Sequence, residues 1–462
     1  MESTLATVFK AYDIRGLAPE QIDAKFARRL GATLIATHAP KRVMVGRDMR
    51  TTSSVLETAL IDGLTSGGAE VVRIGLCSTP MFNVLIGLGN GSFDLGVMIT
   101  ASHNPGKYNG FKISLGDCTP VGEGSGMEQI RDAFLADAPA ASTKKGSVTD
   151  DPTALDRYLD HIVLLAKLPS EMPKMKIAID AGNGMAGSVL PRLLQRLPWI
   201  EAVSLYFDPD GSFPNHEANP IKLETLADVI RVVNDDACAL GVAFDGDADR
   251  VGFIDETGTP IPGDLLTALF AQEMLRDTPG GLIAYDVRSS WTVPEAVAEA
   301  GGRSEMCKVG HANIKKLMKE RGGLFSGELS MHFYFSQLWN CESGDLGMLL
   351  LLRRMAREKQ TLSALWSGLK RYAHSPEINF DVKDKNALIR KIEDAYAKRA
   401  SSVSHIDGIR VEFRDATHPE SDWWFSIRAS NTEPLLRLNV EARTAAEMDK
   451  HVQELTTMIR NG

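Results

Sequence analysis

Short apolar runs recur along this chain, and the stretches between them carry helical spacing. Runs at 42–46, 70–74, 95–99, 176–180, 202–207, 240–244 and 282–285 read as buried strands. Helical patterns fall at 53–65, 153–167, 264–275 and 346–357. Such alternation predicts α/β domains with largely parallel sheets. The tail differs: paired strands at 408–414, 423–428 and 434–442, with a helix on either side, read as α+β. A chain of 462 residues has room for several cores. A polar stretch at 142–147 supplies a boundary, and the division expected is 1–150, 151–257, 258–370 and 371–462. The fold class expected is three similar mixed α/β domains plus a smaller C-terminal α+β domain, without an obvious sequence repeat.

Charge and cysteine usage exclude several classes. The net charge of −9 argues against nonspecific nucleic-acid binding, which favours a basic face. An anionic substrate must then be drawn by locally clustered Arg and Lys. Five scattered cysteines without a Cys-x-x-Cys pair make a disulfide framework or zinc site a poor reading. The N-terminus shows no basic segment followed by an apolar one, and the leucine run at 348–352 is too short to span a bilayer. A soluble cytoplasmic protein with no membrane partner is expected.

Four polar loops carry the chemistry. Thr100-Ala101-Ser102-His103-Asn104-Pro105 follows a strand, which places a hydroxyl nucleophile on a loop beside an imidazole. Lys112 lies a few residues on, and Asn104-Pro105 and Asn109-Gly110 read as turn formers. Asp245-Gly246-Asp247-Ala248-Asp249-Arg250 follows another strand, and alternate carboxylates there can converge on one hard cation. An EF-hand is excluded although Glu256 falls at its twelfth position, since Arg250 replaces the sixth-position glycine and a strand precedes the loop. In Gly327-Glu328-Leu329-Ser330-Met331-His332, a carboxylate and a hydroxyl at alternate positions can bind adjacent sugar hydroxyls, and His332 can transfer protons. Arg428-Ala429-Ser430-Asn431-Thr432-Glu433-Pro434 offers donors for a phosphate. Singly, the serine, sugar-type and phosphate-type loops also read as polar turns. Gly182-Asn183-Gly184-Met185-Ala186-Gly187 matches a dinucleotide fingerprint, with Asp208 after the next strand, and is held as a minor alternative implying a dehydrogenase.

The four loops, in this order and with Phe9-Lys10-Ala11-Tyr12-Asp13-Ile14-Arg15-Gly16 ahead of them, resemble the α-D-phosphohexomutase family over nearly the whole chain. The resemblance is closest to its bacterial phosphomannomutase/phosphoglucomutase group. It implies four domains around a central cleft, each supplying one loop. It implies a phosphoserine at Ser102 and Mg²⁺ held by Asp245, Asp247 and Asp249 with Ser102. Glu328 and Ser330 would bind the sugar O3 and O4 hydroxyls, and Arg428, Ser430, Asn431 and Thr432 the phosphate that is not reacting. Tyr12, Arg15, His103, Asn104, Arg250, Arg288 and His311 also fall on cleft positions, with Lys112 and His332 as proton-transfer residues.

The activity so implied interconverts hexose 1- and 6-phosphates of glucose and mannose, with glucose 1,6-bisphosphate as intermediate and activator. The partners are phosphosugars, and the protein is expected to act as a monomer. Two departures stand out: in the sugar loop Leu329 and Met331 replace the family's usual methionine and glycine, and the bulkier Met331 would shift sugar preference; and Arg288 replaces a common lysine. A non-catalytic sugar-phosphate-binding relative is the alternative from another class. A phosphoglucosamine mutase is nearer, but its sugar loop is expected to differ at the Glu-x-Ser positions.

Overall fold

The computed structural model describes residues 5–136, 145–429 and 435–461. The chain forms two compact units, residues 1–261 with 330–365 and residues 262–329 with 366–462.

In the first unit, β1 (Ile14–Leu17), β2 (Arg42–Arg47), β3 (Glu70–Leu76), β4 (Leu95–Ile99), β5 (Tyr108–Leu115) and β6 (Val148–Asp150) form a sheet in the order β1-β5-β4-β2-β3-β6. The pairs β2–β3, β2–β4 and β3–β6 are parallel, whereas β4–β5 and β5–β1 are antiparallel. Every residue of β4 is buried, for a reason visible in its alternation. Leu95, Val97 and Ile99 join a core with Phe26, Leu30 and Leu34 of helix Ala24–His38 and Leu56, Leu60 and Leu64 of helix Ser53–Ser66. Gly96, on the other face, meets Ile86 and Phe82 of helix Thr79–Leu88. A strand covered on both faces reads as a continuous apolar run, and each large side chain so buried contributes roughly 1.5–3 kcal/mol. Asn109-Gly110, expected as a turn, lies instead inside β5. The Asn109 amide donates to Thr52 Oγ1 (2.8 Å) and Ser53 Oγ (3.0 Å), bonds that favour the strand over a turn.

The second sheet runs β10-β9-β7-β8, from β7 (Met175–Asp180), β8 (Ile200–Leu205), β9 (Leu240–Phe244) and β10 (Val251–Asp255). β7 is parallel to β8 and β9, and β10 folds back antiparallel on β9. The three-aspartate loop is therefore the β9–β10 connection. β8 ends two residues before the expected 207, because Tyr206 adopts a left-handed φ of 55° and its hydroxyl bonds Asp228 (2.6 Å).

In the second unit β11 (Leu282–Asp286) lies between β12 (Arg303–Cys307) and β13 (Gly323–Gly327), parallel to both. Helices Gly263–Asp277, Thr292–Glu299 and His311–Arg321 alternate with these strands. Residues 330–365 return to the first unit and form the antiparallel pair β14 (Phe333–Phe335) and β15 (Cys341–Glu342). They also form helix Gly344–Glu358, capped by Ser343. The leucine run is buried within that helix.

The C-terminal part of the second unit is one sheet in the order β16-β21-β20-β19-β18, with β17 also on β21. Its strands are β16 (Ala373–His374), β17 (Ile378–Asp381), β18 (Ser402–Ser404), β19 (Ile409–Phe413), β20 (Trp423–Ala429) and β21 (Leu435–Ala442). Helices Lys385–Tyr396 and Ala445–Arg460 contribute Ile392, Tyr396, Leu455 and Ile459 to its core, the α+β pattern expected. All five cysteines are buried and free. Among the described residues no helix is long and apolar enough to cross a membrane.

Candidate active site

Ser102 sits just past the C-terminal end of β4, buried, with a left-handed φ of 51°. Its N–H donates to Thr100 Oγ1 (2.9 Å). Its hydroxyl donates to Asp245 Oδ2 at 3.3 Å and lies 3.3 Å from His103 Nδ1. Burial, with Arg250 and Arg15 nearby, holds the His103 imidazole well below its ordinary value, so the ring beside the serine is neutral at pH 7. Arg15 is paired with Asp13 and donates to Asn104 Oδ1 (2.7 Å) on the same loop. Tyr12 lies on the segment leading into β1.

The three aspartates converge. Asp245, Asp247 and Asp249 are buried, and each offers a carboxylate oxygen within 4.8 Å of the others. Burial, with Asp249 and Asp247 adjacent, pushes Asp245 well above the usual carboxylate range. Burial acts the same way on Asp249, but Lys112 and His332 outweigh it and hold that carboxyl well below the range. The Lys112 ammonium lies 2.6 Å from Asp247 Oδ2 and 2.7 Å from Asp249 Oδ2. Burial opposes its charge, yet the two carboxylates outweigh that and raise its pKa. Thr79 Oγ1 also donates to Asp247 Oδ2 (2.6 Å), while the buried Asp247 Oδ1 accepts no hydrogen bond. An orphaned buried oxygen among three carboxylates fits a divalent cation.

His332 joins the same cluster. Its Nε2 lies 3.2 Å from both Arg250 Nε and Asp249 Oδ1, and its Nδ1 lies 3.2 Å from Ser330 Oγ. A bridge between Arg250 and His332, with Val251 N–H donating to Met331 O (3.3 Å), fixes the two segments. Met331 adopts a left-handed φ of 67° and is buried, its sulfur against Gly252. Its side chain therefore packs against β10.

The glycine-rich turn that matched a dinucleotide fingerprint supports this loop from behind. Met185 N–H donates to Gly246 O (2.9 Å). A Cβ on Gly184 would lie 2.8 Å from Gly246 O, and one on Gly187 2.0 Å from Phe207 O. Asp180 takes the Gly182 N–H (2.7 Å) and His216 Nε2 (2.9 Å). These glycines permit close backbone approach.

A second polar cluster lies in the second unit. Glu328 follows β13, and its Oε1 accepts the Gly310 N–H (3.1 Å) just ahead of His311, which opens helix His311–Arg321. Asp286, ending β11, accepts the Arg288 N–H (2.7 Å), and its other oxygen takes Arg288 NH2 (2.7 Å) and Leu329 N–H (3.0 Å). Glu377 gathers three guanidiniums: Arg428 at 2.9 Å, Arg437 at 3.0 Å and Arg288 at 3.5 Å. Burial pushes the Glu377 carboxyl up, but these arginines outweigh it and hold it below its ordinary value. Burial, with Arg288 nearby, lowers Arg428. The expected phosphate ligands Ser430, Asn431 and Thr432 lie outside the described residues.

Sequence reasoning missed Thr79, Asp286, Glu377 and Arg50. Arg50 and Asp286 had a signal, the spacing Asp48-x-Arg50 and Asp286-x-Arg288 after two strands, where Asp48 likewise accepts the Arg50 N–H (3.0 Å). Glu377 had none, since its partners lie far along the chain.

A hydroxyl facing a cation-competent carboxylate cluster, on tandem α/β domains, defines an enzyme. The phosphoglucomutase/phosphomannomutase α/β/α domains I, II and III match residues 6–140, 156–258 and 262–372, and the C-terminal domain matches 377–458. A phosphohexose mutase of Xanthomonas campestris pv. campestris is 37% identical over 456 residues, covering 98% of this chain and 99% of the relative. A phosphomannomutase/phosphoglucomutase of Pseudomonas syringae pv. tomato is 37% identical over 460 residues, with 96% and 93% covered. The crystal structure of a phosphoglucomutase/phosphomannomutase family protein from Burkholderia thailandensis superposes with a TM-score of 0.87 at 34% identity, covering 99% of this chain and 97% of that one. This chain belongs to the phosphoglucomutase/phosphomannomutase family of isomerases.

Proposed function

We propose that this chain is a Mg²⁺-dependent phosphohexomutase that interconverts the 1- and 6-phosphates of glucose and of mannose. The observation that carries the reading is the Ser102 hydroxyl 3.3 Å from Asp245 Oδ2, within a cluster of three buried carboxylates. When bound by Asp245, Asp247, Asp249 and Ser102 Oγ, the cation would supply neutralising charge for a transferring phosphoryl group.

Phosphorylated Ser102 gives its phosphoryl group to the free hydroxyl of a hexose monophosphate: the Oγ–P bond breaks and a sugar O–P bond forms. His332 and Lys112 are the proton-transfer residues: His332 takes the proton from that hydroxyl, and Lys112, paired with Asp247 and Asp249, is the second such group beside the transferring phosphoryl. The resulting 1,6-bisphosphate turns over and returns its other phosphoryl group to Ser102. Arg250 orients His332, as their 3.2 Å contact supports. His103, neutral beside the serine, Arg15 with Asn104, and Tyr12 line the phosphoryl-carrying loop. Glu328 and Ser330 bind O3 and O4 and leave the C2 hydroxyl unread, which admits both sugars. Arg288, His311, Arg428, Ser430, Asn431 and Thr432 hold the phosphate that is not reacting. The enzyme works in the cytoplasm as a monomer, with glucose 1,6-bisphosphate as activator.

The test is a coupled mutase assay on glucose 1-phosphate and mannose 1-phosphate, with Mg²⁺ and a trace of the 1,6-bisphosphate, beside Ser102→Ala. Turnover of both sugars that disappears in the variant is expected. No turnover of either sugar would sink the dual-sugar reading.

A further inference from the structure

A guanidinium with no exposed surface is costly to bury unless its donors are all used. Arg50 meets that condition: its side chain is 0% exposed, and each of its five N–H donors has an acceptor. One is Asp48 Oδ2, which takes Nε–H at 3.1 Å. The other four are backbone carbonyls of the β4–β5 connection and the first residue of β5. NH1 donates to Pro105 O and Tyr108 O, both at 2.9 Å, and NH2 donates to Ser102 O (2.8 Å) and Asn104 O (2.5 Å). Asp48 is fixed in turn, its Oδ1 accepting the Arg50 N–H (3.0 Å) and Ser53 Oγ (2.6 Å). The Phe213 ring covers the guanidinium at 5.2 Å.

That connection contains the strained residue that carries the nucleophile. Ser102 is left-handed at φ 51°, a conformation that strains a non-glycine residue and persists only where neighbours enforce it. Its amide is held by Thr100 Oγ1 and its carbonyl by Arg50. Arg288, at the matching strand end in the second unit, spends its donors on Asp286 and Glu377 instead, so the local Asp-x-Arg pattern alone does not dictate this use.

We propose that Arg50 is a positioning residue for the nucleophile: by gathering the carbonyls of Ser102, Asn104, Pro105 and Tyr108, it holds Ser102 in the backbone conformation that presents Oγ to the aspartate loop. The inference rests on the reading of Ser102 as the phosphoryl carrier. An ammonium at this position keeps the charge but has too few donors, in the wrong geometry, to bridge four carbonyls. Displacement of a reacting atom by about 1 Å can slow transfer about a hundredfold.

Arg50→Lys, Asp48→Asn and Ser102→Ala are compared with the parent for phosphoryl uptake from glucose 1,6-bisphosphate by intact-mass spectrometry, and for kcat and KM on glucose 1-phosphate. The expected result for Arg50→Lys, with rates referred to the folded fraction measured by thermal melt, is uptake and kcat at least about tenfold slower with KM within about twofold, the pattern of a lost transition-state interaction. Uptake and kcat within about twofold of the parent overturn the proposal. If Arg50→Lys does not fold, Asp48→Asn, which keeps the guanidinium but weakens the group that aims it, decides on the same split. Ser102→Ala separates the two readings. Phosphoryl uptake persisting in that variant removes Ser102 as carrier, whereas uptake lost there but normal in Arg50→Lys removes only the role of Arg50.

Discussion

The Lys112 ammonium lies 2.6 Å from Asp247 Oδ2, within the carboxylate cluster that fits a cation. Lys112 thus supplies positive charge to two buried carboxylates, Asp247 and Asp249. Removing one partner of a buried pair leaves the other unpaired, at a cost of about 3 kcal/mol. Lys112→Met is therefore expected to melt well below the parent in EDTA, and to recover more than the parent does when Mg²⁺ is added. Equal Mg²⁺-induced shifts in thermal melts would show that the lysine does not compensate this cluster.

Glu377 plays the converse part among three arginines. Glu377→Gln leaves Arg428, Arg437 and Arg288 facing one another in a partly buried site, at a cost of about 3 kcal/mol. An anion can take the place of the lost carboxylate. The variant should melt lower in phosphate-free buffer, and inorganic phosphate should raise its midpoint more than the parent's. If phosphate shifts both proteins alike, the three guanidiniums are not available to an anion there.

Much of this was legible in the sequence because its signals are local. β4 and β9 read as apolar runs since both are buried along their whole length. The three aspartates announce themselves because alternate carboxylates after a strand have few other uses. What stayed hidden depends on long-range partners. The carbonyls that Arg50 binds lie more than fifty residues away, and nothing beside Glu377 marks it as the hub of three arginines. The glycine-rich turn misled for a physical reason: close approach to a pyrophosphate and close approach to Gly246 O demand the same absence of a side chain. The Asp-x-Arg pattern shared by two strand ends escaped notice because its two residues bond each other locally while their remaining contacts differ.

Met331→Gly separates backbone strain from packing. Glycine relieves the left-handed φ of 67°, worth about 1 kcal/mol, but removes a buried side chain worth about 2–3 kcal/mol. A net loss of about 1–2 kcal/mol in urea unfolding is expected. Because the sulfur lies against Gly252, the ratio of kcat/KM for glucose 1-phosphate to that for mannose 1-phosphate should move less than about twofold. A larger change in that ratio would bear out the shift in sugar preference expected from methionine in place of the family's usual glycine.

Asp345 is a buried carboxyl whose Oδ2 accepts the Tyr158 hydroxyl, and whose Oδ1 has no hydrogen-bond partner. Burial pushes it up to about 6, with the Tyr158 bond opposing, against 3.8 ordinarily. The sign follows from a folded-state value above the unfolded one. The folded protein holds this proton more tightly, so below pH 4 the group costs nothing in ionisation. As pH rises from about 4 to about 6 the unfolded chain ionises first and stability falls, by about 3 kcal/mol at the plateau. Asp345→Asn cannot ionise and escapes that loss. Its urea midpoint relative to the parent should therefore climb between pH 4 and pH 6.5 and then level off, whatever fixed offset the amide introduces. A difference that stays flat across that window would mean that Asp345 ionises no later in the folded protein than in the unfolded chain.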